Sequence, residues 1–132
     1  SVIRIRGVEK LEATEFTIPG DRIVAGTYLC ACMAAGGEVL LKEAPCERME
    51  AVLKQARACG AMCQITDEGL YVQVHNRLKA IDKLVTEPYP GFPTDMQSQF
   101  LSVLSLAEGT CVIEENIFEN RYAGAPAVRL GS

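Results

Sequence analysis

Phe92-Pro93-Thr94-Asp95-Met96-Gln97 joins two unlike stretches of this chain. Before it lies a loop holding Pro88, Pro90 and Pro93, and after it a strongly apolar run over 96–107 predicts a buried helix. The Asp therefore falls in that helix's first turn. Helix N-termini leave backbone N–H groups unpaired and carry partial positive charge. Thr94 or Asp95 thus either caps the helix, the ordinary role for such residues, or holds an oxygen-rich ligand. These residues alone leave both readings open.

Outward from this stretch, the chain alternates strands and helices. Val2-Ile3-Arg4-Ile5-Arg6 alternates as a strand does, and Glu15-Phe16-Thr17-Ile18 reads as a second. Pro19-Gly20-Asp21 opens an apolar helix over 23–35 that stops at Gly36-Gly37, and a helix apolar all round predicts burial on most sides. A strand over 38–42 follows. The clearest amphipathic helix spans 45–59, with Met49, Val52, Leu53, Ala56 and Cys59 on one stripe, Pro45 at its start and Gly60 past its end. Strands over 61–66 and 70–75 flank Asp67-Glu68-Gly69 as a hairpin, and a further strand runs over 79–86. After the helix that Asp95 begins, Glu108-Gly109-Thr110 turns the chain into a strand over 111–118.

The order is an α+β one that starts again. Pro19-Gly20-Asp21 and Pro93-Thr94-Asp95 each precede an apolar helix that ends in glycine and a strand, and Glu47-Arg48 and Asn120-Arg121 then fall at similar places. The expected division is leading strands over 1–18, a complete β-α-β-α-β-β unit over 19–86 and a truncated second unit over 87–132, with helices packed against mixed sheets. Gly124 and Pro126 weaken any second helix in the last ten residues. The chain thus reads as a single partial domain, a piece of a longer repetitive protein. A unit that cannot cover its own apolar faces needs neighbours, so self-association through uncovered repeat faces is also expected.

Composition bounds the function. At 132 residues, 48% hydrophobic and 23% charged, this is one globular domain's worth of chain. A net charge of −4 without a dense basic run argues against nucleic acid and membrane surfaces, and no apolar stretch is long enough to span a bilayer. A soluble, cytoplasmic protein is expected. The six cysteines share the chain with a single His and form no Cys-x-x-Cys pair, so reduced, mostly buried thiols are expected rather than a metal site. Lone His75 falls on an alternating strand as an exposed residue, and Tyr28 and Tyr71 read as packing residues.

Several motifs in order carry a resemblance to a known family. Phe92-Pro93-Thr94-Asp95-Met96-Gln97-Ser98-Gln99-Phe100, then Ala107-Glu108-Gly109-Thr110, then Phe118-Glu119-Asn120-Arg121-Tyr122 closely resemble the UDP-N-acetylglucosamine 1-carboxyvinyltransferases, of the enolpyruvyl transferase family. Asp21-Arg22-Ile23 and Ala25-Gly26-Thr27 fit the same family upstream, so the likeness runs from about Val2 to Tyr122. It implies an α/β prism type of fold, in which two domains of three repeat units each face one another across the active-site cleft. This chain would supply one full unit and most of the next in the second domain. It implies transfer of enolpyruvate from phosphoenolpyruvate to the 3-hydroxyl of UDP-N-acetylglucosamine, the first committed step of bacterial peptidoglycan synthesis, with no metal or organic cofactor.

The resemblance also assigns roles. Asp95 would contact the sugar's 3-hydroxyl and act as general base, Thr94 would be a neighbouring substrate contact, and Ile117 would meet the nucleotide sugar through its backbone. Arg121 would recognise phosphate or carboxylate with its planar guanidinium. Asp21, at Asp95's place in the first copy, is expected to cap its helix. The family's nucleophile-like cysteine loop, and its lysine and asparagine near the N-terminus, have no counterpart here, and after Tyr122 the match decays. The isolated chain is therefore expected to be inactive. Two alternatives stand beside this reading: a non-catalytic interaction module that pairs with itself or with a missing domain, and the sister enzyme that acts on shikimate 3-phosphate.

Overall fold

Asp21 begins the first regular element of the protein, whose computed structural model describes residues 2–119. Its backbone is extended, and its Oδ1 accepts hydrogen bonds from the N–H groups of Ile23 (2.7 Å) and Val24 (3.2 Å). That cap starts α1, Arg22–Ala35, which ends at Gly36 with φ 75°, where a side chain would be strained. A three-stranded antiparallel sheet follows in spatial order β1-β3-β2, from β1 (Gly37–Lys42), β2 (Met62–Thr66) and β3 (Gly69–Val74).

Register explains which side chains enter the core. Val39 pairs with Val72 and Leu41 with Leu70, while Cys63 faces Val72 from the other side. Side chains alternate across a strand, so Leu70, Val72 and Val74 all point inward and are buried. Between β1 and β2 comes a short 3-10 turn, Cys46–Arg48, and then α2, Glu50–Ala58. The stripe Met49, Val52, Leu53, Ala56 and Cys59 is buried throughout, as its spacing predicts. Helix α1 lies across β1 and β3, and α2 lies against β2.

The second half is a parallel crossover. Strand β4 (Lys83–Val85) and β5 (Val112–Glu114) pair in parallel with Leu84 opposite Ile113, joined through the 3-10 turn Thr94–Met96 and α3 (Gln97–Leu106). Parallel neighbours need such a connection, because a tight turn reverses direction. Helix α3 runs along α1, and Phe100, fully buried, meets Phe92 edge to face with ring centroids 4.9 Å apart. Met96, also fully buried, sits against Gly26 of α1, where a Cβ would come within 2.8 Å of its thioether. The small residue lets the turn that carries Asp95 press onto α1.

Mixed α and β elements with both antiparallel and parallel sheets agree with the α+β class read from the sequence. Several expectations need correction. The leading strands at 2–6 and 15–18 are not formed: residues 2–20 contain neither helix nor strand. Val2, Ile3, Ile5, Leu11, Phe16 and Ile18 are each at least 80% exposed. Alternation makes a strand only where a partner supplies the ladder, and no described residue pairs with them. The strands expected over 79–86 and 111–118 shrink to three residues each, with isolated bridges Lys79–Glu108 and Thr86–Phe92 beside them. Helix α1 is not covered on most sides, since Val24 and Tyr28 stand open to solvent and Tyr28 is no packing residue. All six cysteines are free, five of them buried, and His75 is exposed.

Candidate functional site

The second Pro-x-Asp opens its helix differently from the first. Pro93, extended at φ −72° and ψ 134°, is the residue before the 3-10 turn, and its carbonyl accepts from the N–H of Met96 at 3.0 Å. Neither Pro93 before this turn nor Met96 before α3 supplies a side-chain cap. Asp95 therefore lies inside the turn rather than ahead of it, and its carboxylate is exposed. It borders an open hollow of about 140 Å³ whose lining includes Arg22, Glu87, Tyr89, Thr94 and Ile117. Larger hollows lie elsewhere: about 480 Å³ between α1 and β1, lined largely by apolar groups, and about 250 Å³ beside His75 and Arg77. Only the smallest of the three gathers Thr94, Asp95 and Ile117.

Cationic character at this hollow comes from α1. Arg22, the first residue after the Asp21 cap, holds its guanidinium carbon 5.4 Å from the centroid of the Tyr89 ring, a cation–π arrangement that places the charge on the rim. The sequence reading missed Arg22, which comes from α1, and Glu87 and Tyr89, which come from the loop after β4.

Two residues of the hollow's lining, Thr94 and Ile117, are tied together by Glu115, also missed. Its Oε1 accepts from Thr86 Oγ1 (2.8 Å), Ile117 N (2.8 Å) and Phe118 N (3.2 Å), and its Oε2 accepts from Thr94 Oγ1 (2.7 Å). Thr86, fully buried at the end of β4, in turn accepts from the N–H of Asn116 at 3.0 Å. Partial burial pushes the Glu115 carboxyl up, but the hydrogen bonds from Thr94, Ile117, Thr86 and Phe118 outweigh it and hold the group below the usual glutamate value. Nothing local in the sequence signals this, because Thr86 is 29 residues away and Thr94 is 21.

Of the residues singled out from sequence, Thr94, Asp95 and Ile117 thus converge, while Arg121 lies outside the described residues. The Ile117 N–H is engaged by Glu115. The thiols lack the character of nucleophiles: burial, with Cys59 nearby, pushes Cys30 up to about 12, and burial, with Cys111 nearby, pushes Cys59 up to about 11. Among the described residues no three His, Cys, Asp or Glu side chains are grouped to hold a metal ion, and no helix is long and apolar enough to cross a membrane.

With that geometry in place, the protein's class follows from comparison. Residues 1–131 match the model of the EPSP synthase (3-phosphoshikimate 1-carboxyvinyltransferase) family, and the chain belongs to that family. Within it, similarity is high to proteins named for another acceptor. The chain is 47% identical over 134 residues to the UDP-N-acetylglucosamine 1-carboxyvinyltransferase of Nitratidesulfovibrio vulgaris strain DP4, covering 100% of this chain and 32% of the relative. It is 46% identical over 122 residues to UDP-N-acetylglucosamine 1-carboxyvinyltransferase 2 of Caldanaerobacter subterraneus subsp. tengcongensis, covering 92% and 29%. For the enzyme of Granulibacter bethesdensis the identity is 43% over 131 residues, covering 98% and 31%. The chain spans about a third of the length of these relatives.

Proposed function

We propose that this chain forms one wall of the substrate cleft of a cytoplasmic UDP-N-acetylglucosamine 1-carboxyvinyltransferase serving peptidoglycan synthesis, with UDP-N-acetylglucosamine and phosphoenolpyruvate as substrates. In this reading residues 19–86 are one repeat unit of that enzyme's second domain and 87–132 most of the next. The observation that carries it is the exposed, uncapped carboxylate of Asp95, on a hollow shared with Thr94 and Ile117. Asp21, in the matching motif, spends its carboxylate on helix N–H groups. A carboxylate committed to capping cannot serve a ligand; Asp95 is not so committed.

The chemistry needs such a group. A sugar hydroxyl that adds to C2 of phosphoenolpyruvate must lose its proton as the new C–O bond forms, while C3 of the opened double bond takes up a proton. Loss of a C3 proton and of inorganic phosphate then restores the double bond. A carboxylate within hydrogen-bonding distance of the hydroxyl accepts the first proton. Asp95 is that base in this reading. Thr94 and the Ile117 carbonyl orient the sugar beside it, Arg22 adds positive charge on the rim, and Arg121 recognises phosphate or carboxylate. The remaining phosphate contacts and the cysteine loop belong to the other domain, so the chain alone turns nothing over.

Titration of the chain with UDP-N-acetylglucosamine, followed by backbone amide shifts, tests this. Movement confined to the neighbourhood of Thr94, Asp95 and Ile117 is the expected result, and an unchanged spectrum up to millimolar nucleotide sugar overturns it. Phosphate released from phosphoenolpyruvate by the purified chain alone would contradict the assigned division of labour.

A second reading is favoured by one specific observation. The apolar side chains of residues 2–18 and the groove between α1 and β1 are left open, and such surface favours association. As an interaction module the chain pairs with another copy or with the missing domain. A sedimentation series distinguishes the two, since a strict monomer at high concentration excludes self-pairing.

A further inference from the structure

Three segments meet at Glu115, beside the hollow at Asp95: Thr86 just past β4, the 3-10 turn ahead of α3, and residues 115–118 after β5. Nothing in local helix or sheet geometry fixes the third to the second, because β5 ends at Glu114 and the chain beyond it has no described ladder partner. One side chain bridges all three. Both oxygens of Glu115 are used: Oε1 takes the hydroxyl of Thr86 and the N–H groups of Ile117 and Phe118, and Oε2 takes the hydroxyl of Thr94.

We infer that Glu115 is a positioning residue for the nucleotide sugar: it locks the 115–118 loop onto the Thr94 turn and thereby sets the spacing between the Asp95 carboxylate and the Ile117 carbonyl. This inference rests on the proposed reading of the site. Two consequences follow from donor and acceptor counting. With its proton committed to Glu115, the Thr94 oxygen meets other groups only as an acceptor. The Ile117 N–H is committed as well, and Ile117 lines the hollow, so the acceptor its backbone has left is its carbonyl. The site thus brings the Asp95 carboxylate and the Ile117 carbonyl together, acceptors suited to the hydroxyl and N–H donors of an amino sugar.

A carboxylate is required for this, and a neutral side chain of the same shape is not equivalent. Four donors converge on Glu115, and hydrogen bonds to an ionised acceptor are stronger than those to a neutral one. In Glu115→Gln the amide nitrogen cannot accept: facing Thr94 it reverses that hydrogen bond and occupies the Thr94 oxygen as an acceptor, and facing the loop it loses the Ile117 and Phe118 N–H groups.

The test reads UDP-N-acetylglucosamine binding and amide exchange together. Glu115→Ala is expected to weaken binding by about tenfold, as for loss of a charge-assisted bond set, and to speed exchange at the Ile117 and Phe118 amides. Thr86→Val removes the hydroxyl at the far end of the bridge without touching the hollow, and should weaken binding roughly threefold while Leu53 and Val72 keep their protection. Thr86→Ser should restore it. Glu114→Gln, one residue away but paired with Lys83 on the surface, should bind as the wild type does. Wild-type affinity in both Glu115→Ala and Thr86→Val overturns the positioning role while leaving the proposed function intact. A wild-type chain that does not bind the nucleotide sugar overturns the proposed function, and this inference with it.

Discussion

Asp21 and Asp95 occupy the same place in two similar motifs, yet the structure uses them in opposite ways. Ahead of α1, Asp21 is the extended residue before the first turn, and its Oδ1 receives two backbone N–H groups. Ahead of α3, the chain is shifted: Pro93 takes the extended position, its carbonyl closes a 3-10 turn, and Asp95 falls one residue short of that turn's end. The difference is one of register rather than residue type. A Pro-x-Asp motif supplies a helix cap when the Asp immediately precedes the helix, and an open carboxylate when a tight turn intervenes. The free energy of capping, about 1 kcal/mol, is forgone ahead of α3, which leaves the Asp95 carboxylate open.

The strongest way to break this comparison is to unseat α3. Phe100 is fully buried and meets Phe92 in the loop that carries Pro93. Phe100→Ala should cost about 3–5 kcal/mol in urea unfolding, and Leu29→Ala on α1 about 2–5. If anchoring of α3 holds the turn, only Phe100→Ala should also disperse the nucleotide-sugar shifts at Thr94 and Ile117 in the fraction that stays folded. Equal loss from both variants would mean that the turn does not depend on its own helix.

Exchanging the two carboxylates' roles is the next test. Asp95→Asn should weaken UDP-N-acetylglucosamine by tenfold or more, equivalent to about 1.5–3 kcal/mol for a bond to a charged group, while unfolding stability moves by less than about 0.5 kcal/mol. Asp21→Ala should do the reverse, losing about 1 kcal/mol of stability and leaving affinity unchanged. An Asp95→Asn protein that unfolds more readily than Asp21→Ala would show that Asp95 is a structural group after all.

What was legible in the sequence divides along the same line between local and distant causes. Helix α2 could be read from the spacing of Met49, Val52, Leu53 and Ala56, and the β2–β3 hairpin from Asp67-Glu68-Gly69, because each depends on residues within a few positions. The motif around Asp95 could be read only by likeness to a family, since the residues alone favour a helix cap there. Val2 to Arg6 misled: alternation describes a surface that fits a sheet, and whether a strand forms depends on a partner the pattern does not contain. The open outer face of α1 misled for the same reason, because an apolar helix says that something should cover it and not what. Glu115 was invisible, its four donors lying at positions 86, 94, 117 and 118.

The smallest expected effect comes from acid, and it sharpens the comparison by testing what replaces the missing cap. Glu115 is held below the usual glutamate value in the folded protein, so it releases its proton more readily there than in the unfolded chain. By linkage, the stabilisation this provides is fully present above the unfolded glutamate value of about 4.3. It fades as pH falls through the lower, folded value. Glu38 and Glu114 are also held low, Glu38 by hydrogen bonds from Tyr71 and Gln73 and Glu114 by Lys83 and Asn116, and both add slopes of the same sign. Glu115→Gln isolates its share: the stability gap between variant and wild type should be widest near neutral pH and should narrow in acid, as protonation makes the two side chains alike. Asp21→Ala, read across the same pH range, reports on a cap that does not involve this cluster. A gap for Glu115→Gln that stays constant with pH would mean that the four hydrogen bonds do not depend on the charge, and that Thr94 is held to the loop by shape alone.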